Sequence, residues 1–457
     1  MNIAVILAGG VGSRLGYEFP KQFFKVAGKS VIEHTIDVFE NNPLIDEIAV
    51  VVHAAYISNI ETMVLNNGWK KVRKILKGGV ERYESSLAAI NAYRDDMNHN
   101  LIFHDAVRPM LSQQILNHVI EALEKYNAVD VAVPATDTII KVNETGELIE
   151  SVPNRKYLMR GQTPQAFKLH TIKKAYELAL QDSGFSSSDD CGTVVKYLPK
   201  EKVFVVAGEE ANMKLTYKED TYLLDKLFQL RSANLHSEID YHLLKGKVIV
   251  IFGGSSGIGQ KIAEIADQYG AQVFSFSRKF SQTNIADKNS VKEALQQVYN
   301  TTQHIDYVIN TAAILSKEPL LSMKQSTIDQ MIRTNYDGMV NVAIESYPYL
   351  KESKGQLLLY TSSSYTRGRA FYSIYSSTKA AAVNFMQALA QEWEPAEIKI
   401  NVINPERTKT PMRLMNFGNE PDTTLLSSEE VANISLQTLL SDFTGQVIDI
   451  KIRKNNC

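Results

Sequence analysis

Apolar residues recur along this chain in short runs separated by longer stretches of mixed character. Ile3–Leu7, Ile48–Val52, Leu101–Phe103 and Val129–Val133 mark the first half; Val248–Phe252, Phe274–Ser277, Tyr307–Ile309 and Gln356–Tyr360 mark the second. Continuous apolar runs of this length predict strands buried on both faces of a sheet, and the stretches between them have helical character. The alternation predicts an α/β protein of two Rossmann-like domains, each with a mostly parallel sheet. The rhythm lapses over 232–240, after a helix-like stretch that opens at Leu223. The expected domains are therefore 1–232 and 246–457, joined by a linker at 233–245.

Composition narrows the picture only a little. At 457 residues the chain exceeds one ordinary domain, and 44% hydrophobic with 22% charged residues is the balance of a globular protein with real cores. A formal net charge of -2 gives no reason to expect a nucleic-acid or membrane partner. The two cysteines, Cys191 and Cys457, cannot build a disulfide framework, and no His/Cys cluster points to zinc. The apolar start lacks a basic flank and is too short for a signal peptide, and no run approaches membrane-spanning length, so a cytoplasmic location is expected.

The chemistry of the first half begins where its first strand ends. Leu7 and Ala8 lead into Gly9, Gly10, Gly12 and Gly16, with Arg14 and Lys21 close behind. Glycines let backbone amides approach and cradle a phosphate, and the two cations suit a triphosphate. The loop is not GxxxxGK[ST], so it is no Walker A motif. Further landmarks follow the later strands: Gly78-Gly79-Val80-Glu81-Arg82 with Ser85, then His104-Asp105-Ala106-Val107-Arg108-Pro109, Asp137-Thr138, Asn154-Arg155, Gly161-Gln162-Thr163-Pro164-Gln165, Asp189-Asp190 and Ala211-Asn212-Met213-Lys214. An acid at a strand end beside a triphosphate loop, here Asp105, is a candidate magnesium ligand, since Mg2+ takes one or two carboxylates and fills its sphere with phosphate oxygens and water.

In order and spacing these motifs resemble the family of 2-C-methyl-erythritol 4-phosphate and ribitol 5-phosphate cytidylyltransferases, across essentially all of residues 1 to 230. The resemblance implies that Leu7, Ala8, Gly9, Gly10, Gly12, Gly79, Arg82 and Ser85 hold CTP, with Asp105 carrying Mg2+. It implies that Arg14, Lys21 and Lys214 neutralise the phosphates. Asp137, Arg155 and Thr163 would sit near the acceptor phosphate, on an arm exchanged between subunits.

In the second half the strand Val248–Phe252 runs directly into Gly253-Gly254-Ser255-Ser256-Gly257-Ile258-Gly259, and a helix-like segment follows. Strand, glycine turn and helix N-terminus form the context in which a dinucleotide pyrophosphate binds. Arg278 stands where the second strand ends. An acid there would bond a ribose 2′-hydroxyl, whereas arginine accommodates a 2′-phosphate, so NADPH is expected rather than NADH. Tyr375 and Lys379 are spaced i, i+4 on one helix face. A lysine cation beside the phenol favours phenolate and brings it toward the working range of an acid-base group. Ser362, just beyond the strand Gln356–Tyr360, would hydrogen-bond the same carbonyl oxygen that Tyr375 protonates.

The spacing G-x-x-x-G-x-G, the serine and Y-x-x-x-K resemble the short-chain dehydrogenases/reductases over residues 246 to 452, which implies a doubly wound parallel sheet. By that resemblance Gly253, Ser255, Ser256, Gly257, Ile258, Gly259, Arg278, Asn310, Ala312, Tyr375 and Lys379 contact the nucleotide. Asn335 would support a proton-relay water near the lysine. Two departures stand out: Asn310-Thr311-Ala312-Ala313 where the family has N-N-A-G, and Glu406 where it usually has glycine. Arg367, Arg369, Arg407 and Lys409 fall in loops expected to border the substrate and are candidates for a sugar phosphate.

A polyol-phosphate cytidylyltransferase joined to a carbonyl reductase implies consecutive steps. Ribulose 5-phosphate to ribitol 5-phosphate to CDP-ribitol satisfies both, and the pairing is similar to bifunctional enzymes of bacterial capsule pathways. An arabinitol or xylitol derivative, methylerythritol phosphate, or one half acting only as a nucleotide-binding scaffold remain open at this point. A homodimer or larger assembly is expected.

Overall fold

The computed structural model describes residues 1–10, 20–95, 97–187, 189–232 and 240–452. The chain divides into two compact units, Met1–Leu227 and Phe228–Cys457, the division falling within the helix Asp220–Ser232. Of the expected linker, 233–239 lies outside the described residues. Its last part, Tyr241–Leu244, is a 3-10 turn that belongs to the second unit's packing. Leu244 is fully buried there, and Tyr241 stacks on Tyr269 with ring centroids 4.6 Å apart. No helix among the described residues is long and apolar enough to cross a membrane.

The first unit is organised on an eight-stranded sheet. Its centre is parallel: Val72–Lys77, Glu47–Val52, Asn2–Ala8 and Asn100–Asp105 lie side by side. Ile3 to Ile6 are fully buried, as an apolar run covered on both faces must be. The remainder adds antiparallel pairings to that mostly parallel sheet. Gln165–Lys168 inserts antiparallel between Asn100–Asp105 and Ala128–Pro134, and the latter also pairs antiparallel with Met159–Gly161 and parallel with Val203–Ala207. Four residues of Gln165–Lys168, three of them buried, are too few to announce a strand by periodicity. The register that places Leu7 opposite Asp105 brings the glycine loop and the acid to one end of the sheet.

The second unit is a six-stranded, wholly parallel sheet in the order Gln272–Phe276, Val248–Phe252, Tyr307–Asn310, Gln356–Tyr360, Lys399–Pro405, Val447–Ile450. Helices Gly257–Gln268 and Ser428–Leu439 pack on one face, and Lys288–Thr302, Gly338–Ser353 and Ser373–Glu392 contribute to the apolar cluster on the other. From Val248–Phe252 the chain first crosses to Gln272–Phe276 on one side, then returns to Tyr307–Asn310 on the other. That reversal opens a crevice beyond the strand carboxyl ends, where open α/β sheets bind ligands. A five-residue π-helix, Arg333–Asp337, separates the helix Gln325–Ile332 from Gly338–Ser353 and contains Asn335.

Candidate active sites

In the first unit the glycine loop leaves the sheet at Gly9 and the chain is pinned again at Gln22, whose buried amide donates to the Ala8 carbonyl at 2.9 Å. Gly12, Arg14 and Gly16 lie between, outside the described residues. The Leu7 carbonyl accepts from the Ala106 amide at 3.0 Å, so Leu7 and Ala8 contribute a fixed strand end with both carbonyls in use. Ser85 stands where two glycine segments converge. A Cβ on Gly9 would lie 3.0 Å from the Ser85 hydroxyl oxygen and one on Gly78 2.9 Å from it, and the Gly79 amide donates to that oxygen at 3.3 Å. A capping box of Glu81 and Glu84 starts the helix Arg82–Ala92 and fixes this corner.

Asp105 is the electrostatic centre of this end. Its Oδ2 receives Lys214 Nζ at 2.9 Å and Arg108 Nε at 3.3 Å. Burial opposes the charged carboxyl, but Lys214, Arg82 and Arg108 outweigh it and hold the group well below the usual carboxylate range. Lys21 joins the same cluster, its ammonium donating to the carbonyl of Leu215, next to Lys214, at 2.9 Å. The amide of Leu215 in turn donates to Val107, and Arg108 Nη1 donates to the Asn212 carbonyl at 2.8 Å. Lys21 and Lys214, almost two hundred residues apart in sequence, thus share one strand end with Asp105.

Arg82 is held by Asp190 at 2.6 Å, and Tyr176 donates to the other oxygen of that fully buried acid at 2.6 Å. Burial works against its charge, yet the Asp190 and Asp105 carboxylates raise its affinity for the proton above the ordinary arginine value. Sequence reasoning noted Asp190 without giving it this role; only the fold brings Asp190 to Arg82.

Thr163 stands beside Asp105. It is buried, its hydroxyl oxygen accepts from the Asp105 amide at 3.1 Å, and it meets His104 Nδ1 at 2.9 Å. His104 Nε2 faces the Arg108 carbonyl, which can only accept, and burial lowers the imidazole to about 4. The ring is therefore neutral with its proton on Nε2, and Thr163 donates its single proton to Nδ1. With its hydroxyl proton given to His104, Thr163 supports the backbone at Asp105 through that hydroxyl and keeps only its backbone amide as a donor for an acceptor phosphate. Asp137 and Arg155 stand on an exposed arm, where Arg155 Nη1 donates to Thr136 at 2.9 Å. Among the described residues no contact within the chain joins either of them to Asp105, Lys21 or Lys214. The arm's short hairpin, Lys141–Val142 with Ile149–Ser151, exposes Ile139, Ile140, Val142, Leu148, Ile149 and Val152.

In the second unit one cleft of about 430 Å³ gathers the expected nucleotide residues: Gly253, Ser255, Ser256, Gly257, Ile258, Gly259, Arg278, Ala312, Tyr375 and Lys379 all line it, with Ser362. The glycines are sterically required. Gly253 has φ +89° and Gly257 φ +57°, and a Cβ on Gly259 would stand 2.5 Å from the Gly253 carbonyl oxygen. Thr311, one of the departures from N-N-A-G, has a use: its hydroxyl lies 3.1 Å from the Phe252 carbonyl oxygen and 3.2 Å from that of Gly253, tying its turn to the glycine turn. Asn310 sits beneath, accepting from the Ala312 amide at 3.2 Å rather than lining the cleft.

Tyr375 and Lys379 project from the helix Ser373–Glu392 as their spacing requires. Lys379 Nζ donates to the Tyr360 carbonyl at 2.9 Å and lies 5.6 Å from the centre of the Tyr375 ring. Burial pushes the Tyr375 phenol up to about 12, a hydrogen bond from Ser362 only partly offsetting it. The expected lowering by Lys379 does not arise: desolvation decides the phenol's shift and also brings the lysine down to about 8. Asn335 does not point its amide at the lysine. It brackets Ile314, accepting from the amide at 2.8 Å and donating to the carbonyl at 2.9 Å.

The four basic candidates separate. Arg369 and Arg407 line the cleft, Arg369 donating to Ser363 at 3.1 Å. Lys409 is paired with Asp422 at 2.8 Å, and Arg367 is exposed; neither lines the cleft. Glu406, where glycine is usual, accepts from the Ile452 amide at 2.9 Å and so anchors the chain beyond the last strand. Sequence reasoning missed Arg413, Tyr372 and Phe417, which also line the cleft, because they come from loop and short-helix segments without periodicity.

Comparison with known proteins matches both halves. The family described as 2-C-methyl-D-erythritol 4-phosphate cytidylyltransferase matches residues 2–229, and that described as short chain dehydrogenase matches residues 247–420. A 2-C-methyl-D-erythritol 4-phosphate cytidylyltransferase of Thermobifida fusca (strain YX) is 42% identical over 50% of this chain and 92% of its own length. A solved 3-ketoacyl-(acyl-carrier-protein) reductase from Brucella melitensis, complexed with NADH, is 23% identical over 45% of this chain and 97% of its own, with a TM-score of 0.43. The bifunctional ribulose 5-phosphate reductase/CDP-ribitol pyrophosphorylase Bcs1 of Haemophilus influenzae is 48% identical over 99% of this chain and 96% of its own. With both sites built and both halves matched in one sequence, the chain belongs to the family of bifunctional ribulose 5-phosphate reductase/CDP-ribitol pyrophosphorylases.

Proposed function

We propose that this chain makes CDP-ribitol in two steps, reducing D-ribulose 5-phosphate to D-ribitol 5-phosphate in its second unit and coupling that product to CTP in its first. The observation that carries this reading is the presence, in one chain, of the Lys21–Lys214–Asp105 cluster and the Ser362–Tyr375–Lys379 cleft, in a relative match that spans both.

In the reductase, NADPH supplies the hydride for the carbonyl carbon of the open-chain ketose. The glycine turn fits a pyrophosphate because no Cβ obstructs it, and Arg278, with no ion-pair partner among the described residues, suits a 2′-phosphate. Tyr375, its phenol pushed up to about 12, remains protonated near neutrality and donates its proton to the carbonyl oxygen. Lys379, still largely charged below pH 8, stabilises the phenolate left behind. Ser362 holds the oxygen in place.

In the transferase, a phosphate oxygen of ribitol 5-phosphate attacks the α-phosphorus of CTP, and diphosphate leaves. Such a transfer depends on positioning and charge stabilisation, which Lys21, Lys214 and Arg82 provide, with Arg14 a further candidate. Mg2+ would add charge neutralisation on the phosphates. Asp105 fits one such ion: its two cations both meet Oδ2, which leaves Oδ1 for the metal. The exposed apolar arm bearing Arg155 supports a homodimer in which the arm packs on a second copy.

The test is a mass spectrum of products from the purified chain given ribulose 5-phosphate, NADPH, CTP and Mg2+. A CDP-pentitol mass that requires both NADPH and CTP supports the two steps in that order. Pentitol phosphate without the CDP product would count against the assigned acceptor, and no NADPH oxidation would remove ribulose 5-phosphate.

A further inference from the structure

The mouth of the reductase cleft carries more positive charge than nucleotide binding uses. Arg369, Arg407 and Arg413 line it, and Lys317 stands with its ammonium 4.8 Å from the centre of the Phe417 ring. Three acids stand near this group: Glu420 is paired with Arg413, Glu406 lines the same cleft with one oxygen on the Ile452 amide, and Glu318 accepts from Ser316 at 2.6 Å. Arg413 is the best fixed of the cations. Its Nε and Nη2 donate to the two oxygens of Glu420 at 2.7 and 2.9 Å, and its guanidinium carbon lies 3.7 Å from the Phe417 centroid. Phe417 in turn meets Tyr372 edge-on, ring centroids 5.8 Å apart. Tyr372 stands three residues before Tyr375, at the start of the same helix.

An arginine bound along one edge and stacked on a ring has lost its rotamer freedom before any ligand arrives, so less entropy remains to be spent on binding. Its Nη1, which makes no hydrogen bond among the described residues, is left as the donor. The position also suits the substrate. A ketose phosphate presents its carbonyl to Tyr375 and carries a dianion at the far end of a short chain, so its charge must settle at the rim of the same cleft.

We propose that Arg413, positioned by Glu420 and Phe417, is the residue that reads the substrate's phosphate, with Arg369 and Arg407 completing the anion site. The inference rests on the reading of the second unit as a sugar-phosphate reductase.

The test uses the full-length chain and its Arg413→Ala variant. The variant is expected to raise KM for ribulose 5-phosphate about tenfold or more, the scale of a lost charge-assisted contact, and to lower kcat much less. Competitive inhibition by inorganic phosphate should weaken in the same proportion. NADPH affinity, followed by fluorescence, should stay within about twofold and report an intact fold. An unchanged KM and unchanged phosphate inhibition with NADPH binding retained would overturn the assignment. Should Arg413→Ala fail to fold, Arg413→Gln removes the charge while keeping most of the stem, and a wild-type KM in that variant would overturn it equally. If the wild-type chain does not reduce ribulose 5-phosphate, the substrate reading fails by itself. Calorimetric titration of inorganic phosphate into the NADPH-bound wild type and variant still decides the anion site, equal binding refuting it.

Discussion

Lys379 reaches past the Tyr375 ring, 5.6 Å from its centre, to donate a hydrogen bond to the Tyr360 carbonyl. Both side chains are desolvated, and the shifts run in opposite senses: the phenol up to about 12, the ammonium down to about 8. Reduction needs the phenol protonated and the lysine charged. The upper limit of activity is therefore set by the lysine. The kcat for reduction is predicted to fall as pH rises through about 8, while Lys379→Met should lose about 10²-fold or more and abolish that limb. Stopped-flow NADPH oxidation from pH 6 to 10 checks both.

Lys21 is predicted to act on one reaction only. Lys21→Ala should lower cytidylyl transfer by about 10²-fold or more, as loss of one transition-state donor does, and leave ketose reduction unchanged. Separate assays of diphosphate release and NADPH oxidation on the same preparation measure the split. A parallel loss of both activities would point to unfolding instead.

Gly259 packs the first helix of the second unit against its own turn. A Cβ there would lie 2.5 Å from the Gly253 carbonyl oxygen and 2.6 Å from the Thr311 hydroxyl oxygen. Gly259→Ala must push the helix away from the turn, and overpacking of this kind costs about 1–3 kcal/mol. Thermal melts should show the second unit destabilised, and NADPH titration a weaker site.

Arg278 lines the cleft and enters no ion pair among the described residues. If it meets a 2′-phosphate, Arg278→Ala should raise the KM for NADPH about tenfold and leave that for NADH nearly unchanged. Steady-state kinetics with both nucleotides read the ratio. Equal effects on the two would assign the 2′-phosphate contact elsewhere, with Lys279 the neighbouring cation.

The parts legible in the sequence are those whose signal is local. Val248–Phe252 was an unbroken apolar run and is a fully buried strand; Tyr375 and Lys379 were four apart and share a helix face. Gly253, Gly257 and Gly259 announced a turn that admits no larger residue. What escaped depends on contacts distant in sequence or on competition for hydrogen bonds. Nothing in the order of residues says that Thr163 spends its proton on His104, or that Lys409 is taken by Asp422 while Arg407 is left facing the cleft. The sign of the Tyr375 shift escaped too, because spacing reveals the neighbouring charge but not how thoroughly both groups are removed from water.

The burial of Lys379 also sets conformational stability against activity. In the unfolded chain the amine returns to its ordinary value of 10.5, whereas in the native state it binds its proton with an affinity near 8. Between those values the unfolded state holds more protons, so alkalinity shifts the equilibrium toward the native state. Below about pH 8 both states are protonated and the native fold bears the full strain of a desolvated charge. The contribution of this one side chain to the stability of the reductase unit is therefore greatest in the alkaline range where its charge is lost to turnover, and least where the enzyme works.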